Sequence, residues 1–322
     1  MTFQRKLPAL FAGLVASLAL FAFAASAQAE TVNLVAYSTP QDAYKRIIPL
    51  FQKTKEGKGV TFTQSYGASG DQSRAVAAGQ PANVLHLALE PDLTRLVPKF
   101  LAPNWNQTKT KGVVADSVVA LVVRKGNPKK IKGWNDLLKS GTTVVTADPI
   151  SSGGARWNAL AAYGAALRAS GRDTNKALTY LKQLYKNAPT KPSSARDALT
   201  LFSRGYGDVL VTYESEAIYA NNHGENFDWI IPSNNILIQT PVAVTKGSGP
   251  GARAFVKFLY TPAAQKEFAK VGFRSVIPSL VDKKTYPKPK GLFTINNFGG
   301  WTAATTQFFT PRTGLIAKAQ AG

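Results

Sequence analysis

The sequence contains no cysteine, only two histidines, and 18 acidic residues against 39 basic ones among its 322 residues. Without a thiol there is no disulfide framework, no lipid attachment through cysteine and no thiol nucleophile or persulfide carrier. His86 and His223 stand far apart and in no metal-ligand spacing, so neither a metal nor a cofactor is expected. No Walker-type Gly-Lys-Ser/Thr loop is present, which leaves nucleotide hydrolysis unsupported. Glu214 and Glu216 flank Ser215 and are expected on one side of an extended segment, bracing a hinge rather than exchanging protons. The chain is therefore not expected to be an enzyme.

Long apolar runs are scarce as well. The longest, from about Leu7 to Ala25, follows Arg5-Lys6 and ends at Ala27-Gln28-Ala29 before Glu30. A basic start, a short apolar stretch and a small-residue triplet read as a secretory signal peptide over residues 1–29, giving a periplasmic protein that begins at about Glu30. No later segment approaches the ~20 apolar residues needed to span a bilayer.

The formal net charge of +21 favours an anionic partner: a nucleic acid, an anionic surface or a small inorganic anion. The basic residues are scattered, as at Lys129-Lys130, Lys132 and Lys283-Lys284, without a long run or an aromatic-basic repeat. Nucleic-acid or surface binding is accordingly the distant alternative.

Apolar runs at Val32–Ala36, Val84–Leu89, Ser117–Val123, Thr143–Thr146 and Val209–Thr212 alternate with helical periodicity, an α/β pattern. Ala43, Ile47, Leu50 and Phe51 share one helical face, as do Leu178, Leu181 and Tyr185. Helix starts are signalled at Thr39-Pro40, Asp173-Thr174 and Thr261-Pro262. The length suits two lobes. Residues 30–115 with about 214–322 are expected to form lobe I and residues 116–213 lobe II, the two chain crossings making a hinged cleft.

Four places bring Ser, Gly or Thr to a predicted helix start: Ser38-Thr39, Ala68-Ser69-Gly70, Ser151-Ser152-Gly153-Gly154 and Ser193-Ser194-Ala195. One such turn is an ordinary helix cap, whereas four make an anion site: helix N-termini offer free N–H groups and partial positive charge, and serine adds a hydroxyl. Sulfate carries no proton near neutral pH and accepts hydrogen bonds only, whereas phosphate would want one acceptor in its site. None of the four segments places a carboxylate among its Ser and Gly positions; Asp71 and Asp197 follow close behind and are expected to face solvent. The balance leans to sulfate.

Gln64 to Gly70, Val123 to Pro128, Ser151 to Asn158 and Gly207 to Leu210 resemble the periplasmic sulfate/thiosulfate-binding proteins of ABC uptake systems. Pro241 to Val244, Phe258 to Tyr260 and Phe298 to Trp301 fall where that family has similar words, so the resemblance spans nearly the whole chain after residue 30. It implies a two-lobed type II binding-protein fold, a monomer and partnership with membrane permease subunits. It also implies that Ser69 donates through amide and hydroxyl, Ser152 through its hydroxyl, and Gly153, Gly154 and Ala195 through their amides, with Arg156 polarising backbone donors from behind. Two positions depart from the family pattern: Ser38 stands where Asp is usual, and Tyr213 where a Trp reaches the ligand. Ser38 and Tyr213 also resemble molybdate-binding relatives, so molybdate or tungstate is the alternative ligand.

Overall fold

The computed structural model describes residues 1–2 and 30–321. The signal-peptide segment expected over residues 1–29 thus lies almost wholly outside the described residues. The first half runs β1 (Thr31–Tyr37), α1 (Gln41–Gln52), β2 (Thr61–Gly67), α2 (Ser69–Ala77), β3 (Val84–His86), α3 (Glu90–Thr94), β4 (Val113–Ser117) and β5 (Val119–Arg124). Next come β6 (Val144–Val145), α4 (Gly153–Ala169), α5 (Thr174–Lys186), α6 (Ala195–Ser203), β7 (Val209–Tyr213), α7 (Glu214–Asn222) and β8 (Phe227–Ile230). The chain closes with β9 (Asn234–Ile236), β10 (Ile238–Val244), α8 (Pro250–Leu259), α9 (Pro262–Lys270), β11 (Arg274–Ser275), β12 (Gly291–Phe293), α10 (Gly300–Phe309) and α11 (Leu315–Gln320).

Two mixed sheets organise the molecule. The larger has the order β11-β4-β10-β3-β1-β2, with β1 parallel to β2 and β3 and β10 antiparallel to β3 and β4. The smaller has the order β6-β7-β5-β8, with β5 antiparallel to both neighbours. Central strands covered on both faces need continuous apolar sequence, and Val119 to Val123 are all buried. Phe202, Leu199 and Phe227 cover one face of the smaller sheet, while Leu87, Leu93, Leu96 and Leu101 cover one face of the larger. Asp173 and Thr261 cap α5 and α9, accepting from Lys176 N at 3.0 Å and Ala264 N at 3.4 Å.

The chain passes from the larger sheet to the smaller at Val118, between β4 and β5. The return expected near residues 213–217 falls elsewhere: β8 still pairs with β5, so the chain re-enters the larger sheet only after Ile236, in β10. The segment after Tyr213 is helical because Ser215, Ala217 and Ala220 supply a small-residue buried face, which also places Glu214 and Glu216 in the first turn of α7 and not on an extended segment. The C-terminal part departs from lobe I too: β12 pairs with β9, and α11 packs on α5 beside the smaller sheet. Fully buried Asn235 ties the two crossings together. Its Oδ1 accepts from Val119 N at 3.0 Å and its Nδ2 donates to Val119 O at 2.8 Å, the pattern of a strand bridge made by one side chain.

Candidate functional site

The C-terminal ends of β1 and β2 feed α1 and α2 from the larger sheet, and α4 and α6 begin opposite them. Between these starts lies a small cavity, of about 10 Å³. Ser38, Ser69, Ser152, Gly154 and Ala195 line it, together with Tyr37, Thr39, Gly67, Ala68, Ala88 and Ser194. No Asp or Glu is among the lining residues. Of the other expected residues, Gly153 sits against Ala88, Leu89 and Asp92, while the ring of Tyr213 lies beside Gly154.

The residues around this space head their helices. The first helical hydrogen bonds run from Gln72 N to Ala68 O in α2, from Arg156 N to Ser152 O in α4 and from Ala198 N to Ser194 O in α6. Ser69, Gly153, Gly154 and Ala195 precede those bonds, so their N–H groups have no carbonyl within their own helices. Three helix dipoles add partial positive charge at the same place. Serine occupies the caps of α4 and α6 because its oxygen can accept from the first turn: Ser152 Oγ from Ala155 N at 3.2 Å, and Ser194 Oγ from Asp197 N at 3.1 Å. Asp197 remains exposed, and Asp71 is exposed and pairs with Arg74.

Ser69 differs from the expectation. Its Oγ accepts from Ala88 N at 2.9 Å and donates to Asp92 Oδ2 at 2.6 Å, so its single hydrogen is held by a carboxylate. Asp92 is 2% exposed, and burial pushes its pKa up against the opposing pull of Ser69 and of Arg156. It lies one layer behind the cavity wall. Sequence reasoning missed it because nothing local distinguishes an acidic residue in the first turn of α3 from an ordinary dipole-favoured one. The pairing with Ser69, 23 residues earlier, is created by the fold.

Arg156 braces the turn before α4. Its Nε donates to Pro149 O at 2.8 Å and its guanidinium lies 4.9 Å from the centre of the Phe309 ring. Burial pulls its pKa down and the Asp92 charge opposes that. The peptide it polarises is thus that of Pro149, at the start of the loop, not those of the two glycines. Glu214 and Glu216 are each committed to an arginine: Arg274 Nε to Glu214 at 2.8 Å and Arg196 Nη2 to Glu216 at 2.9 Å. His86 is sealed in the core between the hydroxyls of Tyr44 (2.8 Å) and Thr240 (3.1 Å), and burial drives its pKa down to about 3. It is neutral and structural.

Several contacts close the cleft across the cavity. Gly70 N donates to Ser151 O at 2.9 Å, Trp157 Nε1 to Ala88 O at 2.8 Å, and His223 Nε2 meets Asp42 Oδ2 at 2.9 Å. Trp157 is buried edge-on against Trp301 and also carries one of these bonds. Three hydroxyls at the site, those of Tyr37, Thr39 and Tyr213, are buried without a partner. For Tyr213, burial holds the phenol far above its ordinary pKa, so it remains protonated.

A small space lined by helix starts lies between two sheets joined by paired crossings. The model of the bacterial extracellular solute-binding protein family matches residues 32–274. The chain belongs to that family. This solute-binding protein is 45% identical over 298 residues to a sulfate-binding protein of Synechococcus elongatus, covering 88% of this chain and 85% of that one. It is 34% identical to a thiosulfate-binding protein of Pseudomonas aeruginosa, covering 92% and 93%. Among solved structures, the sulfate-binding protein SubI of Mycobacterium tuberculosis superposes with a TM-score of 0.84 at 40% identity, over 87% of this chain and all of the other. The fold is accordingly the two-lobed periplasmic binding-protein fold.

Proposed function

We propose that this protein captures sulfate, and by the same chemistry thiosulfate, as the periplasmic receptor of an ABC importer, and delivers it unchanged to membrane permease subunits. The observation that carries the reading is the cavity at the meeting of α1, α2, α4 and α6, lined by the serine- and glycine-bearing starts of these helices and by no Asp or Glu. The names of its relatives agree with it. Ser38, Ser69, Gly153, Gly154 and Ala195 contribute amides, and Ser152 and Tyr213 contribute hydroxyls; Arg156 stiffens the loop that presents the glycines. A dianion in this space is neutralised by oriented dipoles and not by a counter-ion. A ligand that must keep a proton presents a hydrogen to a donor and leaves a buried group unpaired, at a cost of ~1 to 3 kcal/mol.

The lobes move about residues 117–119 and 236–238, the segments joined by Asn235, and binding shifts this hinge toward the closed form that the permease recognises. The protein works as a monomer, exported by residues 1–29. Capture without chemical change is the activity assigned, in keeping with the binding-protein names of its relatives. Titration calorimetry with sulfate, thiosulfate, molybdate and phosphate tests this. One-step saturable binding of sulfate or thiosulfate, with phosphate far weaker, is expected. Tighter binding of molybdate would reassign the ligand, and no saturable oxyanion binding would refute the reading.

A further inference from the structure

Hydrogens can be counted one by one in the cavity wall. Ser194 Oγ donates to Asp197 Oδ2 at 2.8 Å, and Ser69 Oγ donates to Asp92 Oδ2 at 2.6 Å. Both serines have only one hydrogen to give. Turning the Ser69 hydroxyl toward an incoming dianion would strip a buried carboxylate of its donor just as a second negative charge arrives beside it, and both changes are unfavourable. Ser69 therefore keeps its hydroxyl on Asp92 and offers the ligand its amide alone.

Thr39 is in the opposite position. It lines the same cavity, is 4% exposed, and its hydroxyl oxygen is buried with no partner. The ordinary use of a threonine just ahead of a helix is to cap it. Here the cap position of α1 is Pro40, and no side chain caps that helix. The fold thus holds a buried hydroxyl whose donor is unspent, at a place where the neighbouring hydroxyl is committed elsewhere.

We propose that Thr39, not Ser69, is a hydroxyl donor that the larger sheet supplies to the bound oxyanion, an assignment that rests on the oxyanion reading above. Thr39 then sets specificity from that side: its hydroxyl satisfies one ligand oxygen, and its methyl fixes how closely that oxygen can approach.

The test compares Thr39→Val and Thr39→Ser with the wild-type protein by sulfate calorimetry and by thermal unfolding without ligand. Valine keeps the shape and removes the hydroxyl. The expected result is sulfate affinity weakened about 5- to 100-fold in Thr39→Val, within about threefold of wild type in Thr39→Ser, with the ligand-free Tm of Thr39→Val unchanged or raised because no bond is lost. Wild-type affinity in Thr39→Val overturns the proposal while leaving the receptor reading intact. So does a lowered ligand-free Tm with affinity retained, which would make the hydroxyl structural. Failure of the wild-type protein to bind sulfate removes the reading beneath it as well.

Discussion

Gly153 is the place where closure can be blocked with a single carbon. A Cβ built on it would stand 2.8 Å from the Ala88 Cβ, 3.0 Å from Leu89 Cδ2 and 3.2 Å from Asp92 Oδ2, all on the opposite side of the cleft. Carbon atoms prefer about 3.5 to 4.0 Å, so the closed form must open slightly or shift the chain between β3 and α3. Overfilling a packed contact costs ~1 to 3 kcal/mol, and because the neighbours lie across the cleft that cost falls on the closed state alone. It converts to affinity for sulfate weakened about 5- to 150-fold in Gly153→Ala. The ligand-free Tm should hold or rise a little, since alanine is about 1 kcal/mol better than glycine in a helix. Gly70 offers the same wedge from the larger sheet: its added Cβ would meet Ser151 O at 2.8 Å, and Gly70→Ala should act in the same direction. Calorimetry and thermal unfolding of both variants decide the matter. Undiminished sulfate affinity in Gly153→Ala would show that the closed arrangement is not the one that holds the ligand.

Trp157→Phe keeps the packing on Trp301 but removes the indole bond to Ala88 O; sulfate affinity should fall about 2- to 12-fold, as read by calorimetry. Arg274→Met strands Glu214, which is 2% exposed, and should cost ~3 to 5 kcal/mol in denaturant unfolding, most of it recovered by adding Glu214→Leu. Asp116 is raised by burial from 3.8 to about 7, so the folded protein binds the extra proton and stability is lost as pH rises through that window. Asp116→Asn should therefore raise Tm at pH 8 and lose its advantage near pH 4; a gain independent of pH would contradict this.

The alternation of apolar runs and amphipathic helices was enough to read the α/β class, and the strands expected at Val32–Ala36, Val84–Leu89 and Val209–Thr212 overlap β1, β3 and β7. Caps at Asp173 and Thr261 were readable because capping is local chemistry. The lobe boundary was not: the pairing of β8 with β5 and of β12 with β9 is decided by tertiary packing, which no local signal near Tyr213 announces. In the site, the serine and glycine turns stood out as helix starts. What they do with each hydrogen did not, because Asp92, which claims the Ser69 hydroxyl, and Pro40, which leaves Thr39 without a capping role, act only once the elements are assembled.

A crystal structure with selenate, whose selenium can be located by its anomalous scattering, would place the bound oxyanion. One anion is expected between α2, α4 and α6, with oxygens at hydrogen-bond distance from the amides of Ser69, Gly153, Gly154 and Ala195, and Asp92 still bonded to Ser69. An anion elsewhere, or one touched by an Asp92 oxygen, would contradict that expectation.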